Sequence, residues 1–314
     1  MNRHLLAATD GSPTAHKSLK YIAGIYQDVP DVDVTLISVA EPLPSFLTTG
    51  SRSFQVEKSR LKRLDDMNKQ RQQECIDILE RGRALLERNQ FPADHIHTKP
   101  VVQSRGAVHD ILSEAKRGKY DALVVGRRGF GRLVSYFIGS VSYGLVQHLK
   151  DIAIWIIDDP LPSRHVLIAV DACASCLRVV DHASFALAGI KDIKVTLFNV
   201  IPKFRPFMSR EISATFEDIE TMITSYSEKH IKDLLSEVHN IFRDAGFSPK
   251  SVEIKIKKGS TGIARDIFTE YERGGYGTLV AGRRGIGGWE AIFPGSVSNG
   301  LLHTHTKGAL WIVS

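Results

Sequence analysis

One pattern constrains this chain more than any other, and it occurs twice. Residues 126–140 read GRRGFGRLVSYFIGS and residues 282–296 read GRRGIGGWEAIFPGS. Each fits G-x-x-G, nine residues, then G-S, and each follows a short apolar run, ALVV or TLVA. A strand that ends in a glycine-rich loop and re-enters as a helix is a recurrent way to hold phosphate. Glycine lets the backbone come close, and the first N–H groups of the helix face the anion. A single glycine pattern is weak evidence. Two copies with the same internal spacing tie the loop to a duplication of the chain, and that duplication sets the architecture.

The halves align element by element. HLLAATD, ending at Asp10, matches HVLIAVD, ending at Asp171, at an offset of 161 residues, as VTLISV (34–39) matches VTLFNV (195–200). KYDALVVGRRG (119–129) matches GYGTLVAGRRG (275–285) at an offset of 156, as do GSVSYGL with GSVSNGL and IAIWII with GALWIV. The first strand is LLAAT or VLIAV, the first helix covers about 14–27 or 174–188, and the second strand is DVTLISV or KVTLFNV. A long charged helical region follows. In the second half, Ile231, Leu234, Leu235, Val238, Ile241 and Phe242 recur at helical spacing, and Gly246 suits the stop. The third strand is HIHTKPVV or VEIKIKK, the third helix covers about 106–117 or 262–273, and the fourth strand carries the glycine loop. The fourth helix starts near Gly139 or Gly295, and the fifth strand is IAIWII or ALWIV. Short, nearly all-apolar strands alternating with helices predict an α/β fold. It consists of two tandem open five-stranded parallel-sheet sandwiches, Rossmann-like, each covered on both faces. The boundary falls in DDPLPSR (158–164), where two prolines break the pattern, giving domains 1–159 and 163–314.

In such sheets ligands sit outside the carboxyl ends of the strands. Asp10, Val39 and Gly126 each end a predicted strand, so they are expected to converge on one edge. Ser140 and Ser142, like Ser296 and Ser298, lie in the first turn of a helix, where a hydroxyl either caps the helix or binds phosphate. Arg127–Arg128 and Arg283–Arg284 add charge. An arginine can grip phosphate bidentately, and for Arg127 and Arg283 a solvent-facing loop arginine is an equal reading.

Composition excludes several classes. Of 314 residues, 43% are hydrophobic and 24% charged, as in a water-soluble globular protein. No apolar run approaches the roughly 20 residues of a membrane span. The start, MNRHLLAATDGS, runs straight into strand-like sequence, so no secretory signal is expected. Three cysteines are too few for a disulfide scaffold, and a cytoplasmic location is expected. The net charge of +6 comes from basic residues interleaved with acidic ones, as in KSRLKRLDDMNKQRQQE (58–74). That reads as a solvated helix face, and without a reading module no specific nucleic-acid binding is expected. The twelve histidines make no metal-ligand spacing, and there is no G-x-S-x-G, no P-loop lysine and no HRD-type loop. No metal and no catalytic residue are therefore expected. Cys173-Ala-Ser-Cys176 is either a low-pKa thiol pair at a helix start or two packing thiols. Trp155 and Trp311, at matching positions of the fifth strand, read as large core or interface residues.

With the strand-one Asp, the G-x-x-G-(nine)-G-S loop and the S-V-S that follows, the chain resembles the universal stress protein family, in particular its tandem two-domain, E-type members. The resemblance covers nearly all of both halves. It implies an adenine-nucleotide α-hydrolase-like fold with ATP, accompanied by Mg²⁺, as cofactor. The loop would wrap the phosphates and the Ser after its last glycine would bond one of them. The strand-one Asp would lie by the ribose, and the backbone ending strand two would contact adenine. Carried over, this assigns Asp10, Val39, Gly126, Arg128, Gly129, Gly139, Ser140 and Ser142 in the first half. In the second half it assigns Asp171, Val200, Gly282, Arg284, Gly285, Gly295, Ser296 and Ser298. It also implies that the fifth strands form a seam, so that the halves pair within one chain as a pseudo-two-fold dimer, with a homodimer and an unidentified protein partner as further partners. The expected function is ATP-dependent regulation in a stress response. The alternatives are a nucleotide-free interaction scaffold, against which the intact loops argue, and a slow ATPase, for which no water-positioning carboxylate stands in the loop.

The flanks differ between the halves. GSPTA follows Asp10 where ACASC follows Asp171, and Gly259 of KKGSTG stands where the first half has Gln103. Unequal occupancy of the two sites is therefore expected. Segments 42–70 and 202–217, where the halves diverge most, are expected to be surface loops or partner-facing flaps.

Overall fold

Every residue of the strands Ala153–Ile157 and Ala309–Val313 is buried, and four of the five in Ala122–Gly126 are. Such strands are stable only with helices on both faces of a sheet, and the chain builds that arrangement twice. The structure, a computed structural model, describes residues 2–41, 43, 54–102, 105–128, 139–159, 163–171, 176–201, 237–258, 262–283, 300–302 and 307–314. It divides into two compact units, Met1–Pro160 and Leu161–Ser314.

The first unit runs β1 (Arg3–Ala8), α1 (Pro13–Tyr26), β2 (Val32–Val39), α2 (Phe54–Arg88), β3 (Ile96–Val101), α3 (Ala107–Arg117), β4 (Ala122–Gly126), α4 (Ser140–His148) and β5 (Ala153–Ile157). Its strand order is β3-β2-β1-β4-β5, with every pair parallel. The second unit runs β6 (His165–Ala169), α5 (Cys176–Leu187), β7 (Lys194–Ile201), α6 (237–244), β8 (Val252–Lys258), α7 (Ile263–Arg273), β9 (Thr278–Gly282) and β10 (Ala309–Val313). Its order, β8-β7-β6-β9-β10, is the same plan.

Local chemistry sets the helix ends. Ser12 caps α1, its Oγ accepting from Ala15 N at 3.2 Å, with Pro13 at the first helical position. Gly246 takes φ +87 and stops α6, as the sequence indicates. On α6 itself Val238 and Phe242 are buried, while Ile231, Leu234 and Leu235 lie outside the described residues. Trp155 and Trp311 are fully buried core residues, Trp155 stacked on Tyr26 at 6.4 Å and Trp311 edge-on to His182 at 6.2 Å.

Within segment 42–70, residues 54–70 are the first half of α2, as the helix-face reading of 58–74 has it and against the loop or flap expectation. The stretch 54–81 contains no glycine or proline. Its polar residues pair along the helix: Lys69 with Asp65 at 2.6 Å, Gln70 with Glu74 at 3.1 Å and Gln73 with Asp77 at 2.8 Å. Each such pair adds a few tenths of a kcal/mol, about 0.2–0.5, to helix over loop. Residues 202–217 lie outside the described residues.

One polar network is duplicated with the fold. At the amino edge of the first sheet, His4 Nε2 meets Thr35 Oγ1 at 3.0 Å and its ring lies 4.4 Å from Tyr120. Tyr120 donates to Glu114 at 3.0 Å, and Lys99 donates to Glu114 at 2.6 Å. The second unit repeats it. His165 meets Thr196 at 3.0 Å and Tyr276 at 4.2 Å, and Glu270 accepts from Tyr276 at 3.2 Å and Lys255 at 3.3 Å.

Candidate functional site

The strand order creates the site. From β1 the chain steps outward to β2 and β3, then returns across β1 to β4. Connections leaving the carboxyl ends of β1 and β4 therefore diverge and open a crevice between them. Asp10 lies two residues beyond the end of β1 on one side, and Gly126 ends β4 on the other.

On the β1 side, Asp10 is exposed and its Oδ1 accepts from Ser12 N at 2.9 Å. Gly11 takes φ +76, which turns the chain into α1. The carboxylate thus orders the turn yet stays at the crevice surface. On the β4 side, a Cβ on Gly126 would sit 3.0 Å from the carbonyl carbon and oxygen of Thr14 and 3.1 Å from Ala15 N. The glycine is required because the first turn of α1 rests on it.

The glycine loop is closed at its base. Gly139 N donates to Arg127 O at 2.8 Å, so the chain leaves β4 and enters α4 at one point. Ser142 is buried and donates to Gly126 O at 2.8 Å, tying the first turn of α4 to the end of β4. Ser140 is exposed. The N-cap of α4 is Gly139, which has no side chain to cap with, in contrast to Ser12 on α1. The start of α4 therefore carries no side-chain cap and has the exposed Ser140 in its first turn, an arrangement that suits an anion.

Arg127 corrects the sequence reading. It is 2% exposed rather than a surface arginine, and its Nη1 lies 3.6 Å from Asp158 Oδ2. Burial pulls its pKa down, and the attraction of Asp158 opposes that. Arg128 also faces Asp158, donating one Nη2 to both carboxylate oxygens at 3.1 and 3.2 Å. Lys17 of α1 donates to the Asp158 carbonyl at 3.0 Å. Sequence reasoning missed Asp158 and Lys17. The signal for Asp158 lay in the parallel register, since Gly126 pairs with Ile157, which makes the residues after β4 and β5 neighbours.

Val39 ends β2 opposite Val101, and Ala40 N donates to Val101 O at 2.9 Å. Arg71 of α2 reaches this exit, donating to Glu41 O and, at 3.4 Å, to Val102 O. In the second unit Asp171 follows β6, Val200 is buried in β7, and Gly282 ends β9. Asn199 donates to Val170 O at 2.9 Å, and Arg283 N donates to Val313 O at 2.6 Å. Gly129, Arg284, Gly285, Gly295, Ser296 and Ser298 lie outside the described residues, as do Gln103, Cys173 and Gly259. Cys176 is buried. Among the described residues no group of three His, Cys, Asp or Glu is arranged to hold a metal ion, and no helix is long and apolar enough to cross a membrane.

A parallel sheet of one strand order, with β4 and β9 each ending in the glycine that opens the G-R-R-G sequence, built twice in one chain, defines a tandem α/β protein of Rossmann-like type. The chain belongs to the universal stress protein family, whose model matches residues 1–151 and again 162–313. Among solved structures it is similar to a universal stress protein from Archaeoglobus fulgidus, at 17% identity over 99% of this chain and 98% of that one, with a TM-score of 0.61. It is also similar to a protein of Pseudomonas aeruginosa PAO1 described as functionally unknown, at 13% identity over 99% and 92% of the two chains, with a TM-score of 0.53. A universal stress protein solved in complex with cAMP is 17% identical over 48% of this chain and 93% of that one, with a TM-score of 0.31. No curated protein matches the chain in sequence.

Proposed function

We propose that this chain is an ATP-binding regulatory module, acting through nucleotide-dependent conformation or partner binding. The observation that carries the reading is the start of α4. A loop pinned shut by Gly139 N to Arg127 O leads into a helix whose N-cap is glycine, beside the exposed Ser140 hydroxyl. N–H groups at a helix start that no side chain caps stabilise a phosphate through hydrogen bonds and the helix dipole. In this reading the loop and Ser140 hold the phosphates, Asp10 faces the sugar, and the backbone around Val39 meets the base. Ser142 has a structural part through Gly126 O. Mg²⁺ would arrive with the phosphates, held by them rather than by a set of protein carboxylates. The second unit carries the same loop sequence and is assigned the same role through Asp171, Val200, Gly282, Arg284, Gly285, Gly295, Ser296 and Ser298.

The test is direct. The protein is purified without added nucleotide and denatured, and the released small molecules are identified by mass spectrometry. In parallel, the native protein is titrated with Mg-ATP by calorimetry. Recovery of adenine nucleotide or saturable binding is expected. Absence of both defeats the proposal. Ser140→Ala and Ser296→Ala, titrated separately, report how the two loops share the ligand.

A further inference from the structure

We propose that Asp158 is a built-in counter-charge that restrains phosphate binding by the first unit, competing with the ligand for Arg128. The inference rests on the ATP reading above and names how that site is tuned. The Asp158 carboxylate is buried, 7% exposed, and faces two guanidinium groups, Arg127 Nη1 at 3.6 Å and Arg128 Nη2 at 3.1 Å. The pair stands at the base of the glycine loop, because Arg127 O is the acceptor that closes the loop onto Gly139 N.

The two arginines are held differently. Arg127 is 2% exposed, whereas the Arg128 side chain is 31% exposed and can turn toward solvent. Asp158 itself is anchored from a third side, because Lys17 Nζ binds its carbonyl at 3.0 Å. When Arg128 turns to a phosphate, Asp158 stays beside Arg127, carrying a charge of the same sign as the incoming anion. Binding phosphate in this unit therefore requires the Arg128–Asp158 pair to break and an anion to settle near a fixed carboxylate. Both effects weaken binding of the phosphates and leave the base and sugar unaffected. In the aligned position of the second half stands Ser314.

The test uses the full chain carrying Ser296→Asp, which places a carboxylate in the second loop so that the first is read alone. In that background Asp158→Asn and Asp158→Ser are titrated by calorimetry with Mg-ATP and with adenosine. Asparagine keeps the shape of the side chain, and serine is what the fold already carries at the matching place, so the two variants guard against a failure to fold. Loss of one partly exposed competing ion pair predicts Mg-ATP binding about twofold to fivefold tighter in both variants, with adenosine affinity unchanged. Unchanged Mg-ATP affinity overturns the inference and leaves the ATP reading standing. Weaker Mg-ATP binding overturns it by making Asp158 a residue that orients the arginines toward the phosphates. Equal tightening for adenosine overturns it by placing the effect in the fold. No binding by the Ser296→Asp parent or either variant overturns both the inference and the ATP reading for this unit.

Discussion

Replacing Gly126 by alanine separates a packing glycine from a ligand-contacting one. The new methyl would lie 3.0 Å from the Thr14 carbonyl carbon and oxygen and 3.1 Å from Ala15 N. Ordinary contacts of this kind are about 3.5–4.0 Å. The obstructing atoms are backbone in the first turn of α1, which is held by the Ser12 cap and by Pro13. They cannot swing aside as a side-chain end would, so β4 and α1 must separate by several tenths of an ångström. Overpacking of this kind costs about 1–3 kcal/mol. Removing the conformational freedom of a strand glycine returns roughly 0.5–1 kcal/mol, so mid-range values leave a net loss of about 1 kcal/mol. For a unit of this size each kcal/mol moves the midpoint by about 2–4 °C. The melting transition of the first unit, followed by scanning calorimetry without nucleotide, is expected to fall by roughly 2–4 °C on that scale. Gly126→Val is expected to fall further. An unchanged melting profile for Gly126→Ala, with Mg-ATP affinity lost, would refute the packing account and make Gly126 a glycine kept for the ligand.

Three other outcomes follow from the same geometry. Burial raises the Glu114 carboxyl pKa, but hydrogen bonds from Lys99, Arg117 and Tyr120 outweigh it and hold it below the usual glutamate range. Its stabilisation is therefore present above that range and lost as pH falls through the lowered value. Glu114→Gln should cost about 1–3 kcal/mol at pH 7 by urea denaturation, with the difference from wild type shrinking below pH 4; a constant difference would contradict the assignment. Burial lowers the His182 pKa to about 4. The folded state then resists a proton that the unfolded chain accepts, so stability is full above about pH 6.5 and declines toward pH 4. At pH 5 the loss is about 2 kcal/mol, and His182→Leu should abolish that acid-side decline. Cys75 is 3% exposed, and burial raises its thiol pKa. A disulfide reagent should modify it in the native protein far more slowly than in urea, and equal rates would show the first unit opening at this helix.

Much of the molecule was legible in the sequence because the chain states its plan twice. The runs LLAATD and VLIAVD, and the paired ALWIV-type strands, are apolar on both faces, and only a parallel sheet covered on both sides accommodates them. The offsets of 161 and 156 residues carried that plan from one half to the other. The site edge was legible for the same reason, since strand ends in a parallel sheet lie on one side. The side-chain partners were not. The pairing of Arg128 with Asp158 spans 30 residues, and that of Lys17 with the Asp158 carbonyl spans 141. Local pattern is silent on contacts between elements so far apart in the chain. The charged run 58–74 was legible as a helix face, and the absence of glycine and proline from 54–81 with its i,i+4 pairs decides against a loop over 54–70.

The sequence by itself determined the duplication and the strand and helix order. These follow from periodicity and spacing, which are local quantities. Only the tertiary structure decided what the described residues at the two ends of the first glycine loop do. Gly126 serves the packing of α1, Ser142 ties α4 to β4, Ser140 is left facing outward, and Arg127 is buried against Asp158. The physical reason is that a glycine, a hydroxyl or a guanidinium has no fixed role in sequence. Its role is set by the atoms that the fold brings within about 3 Å of it.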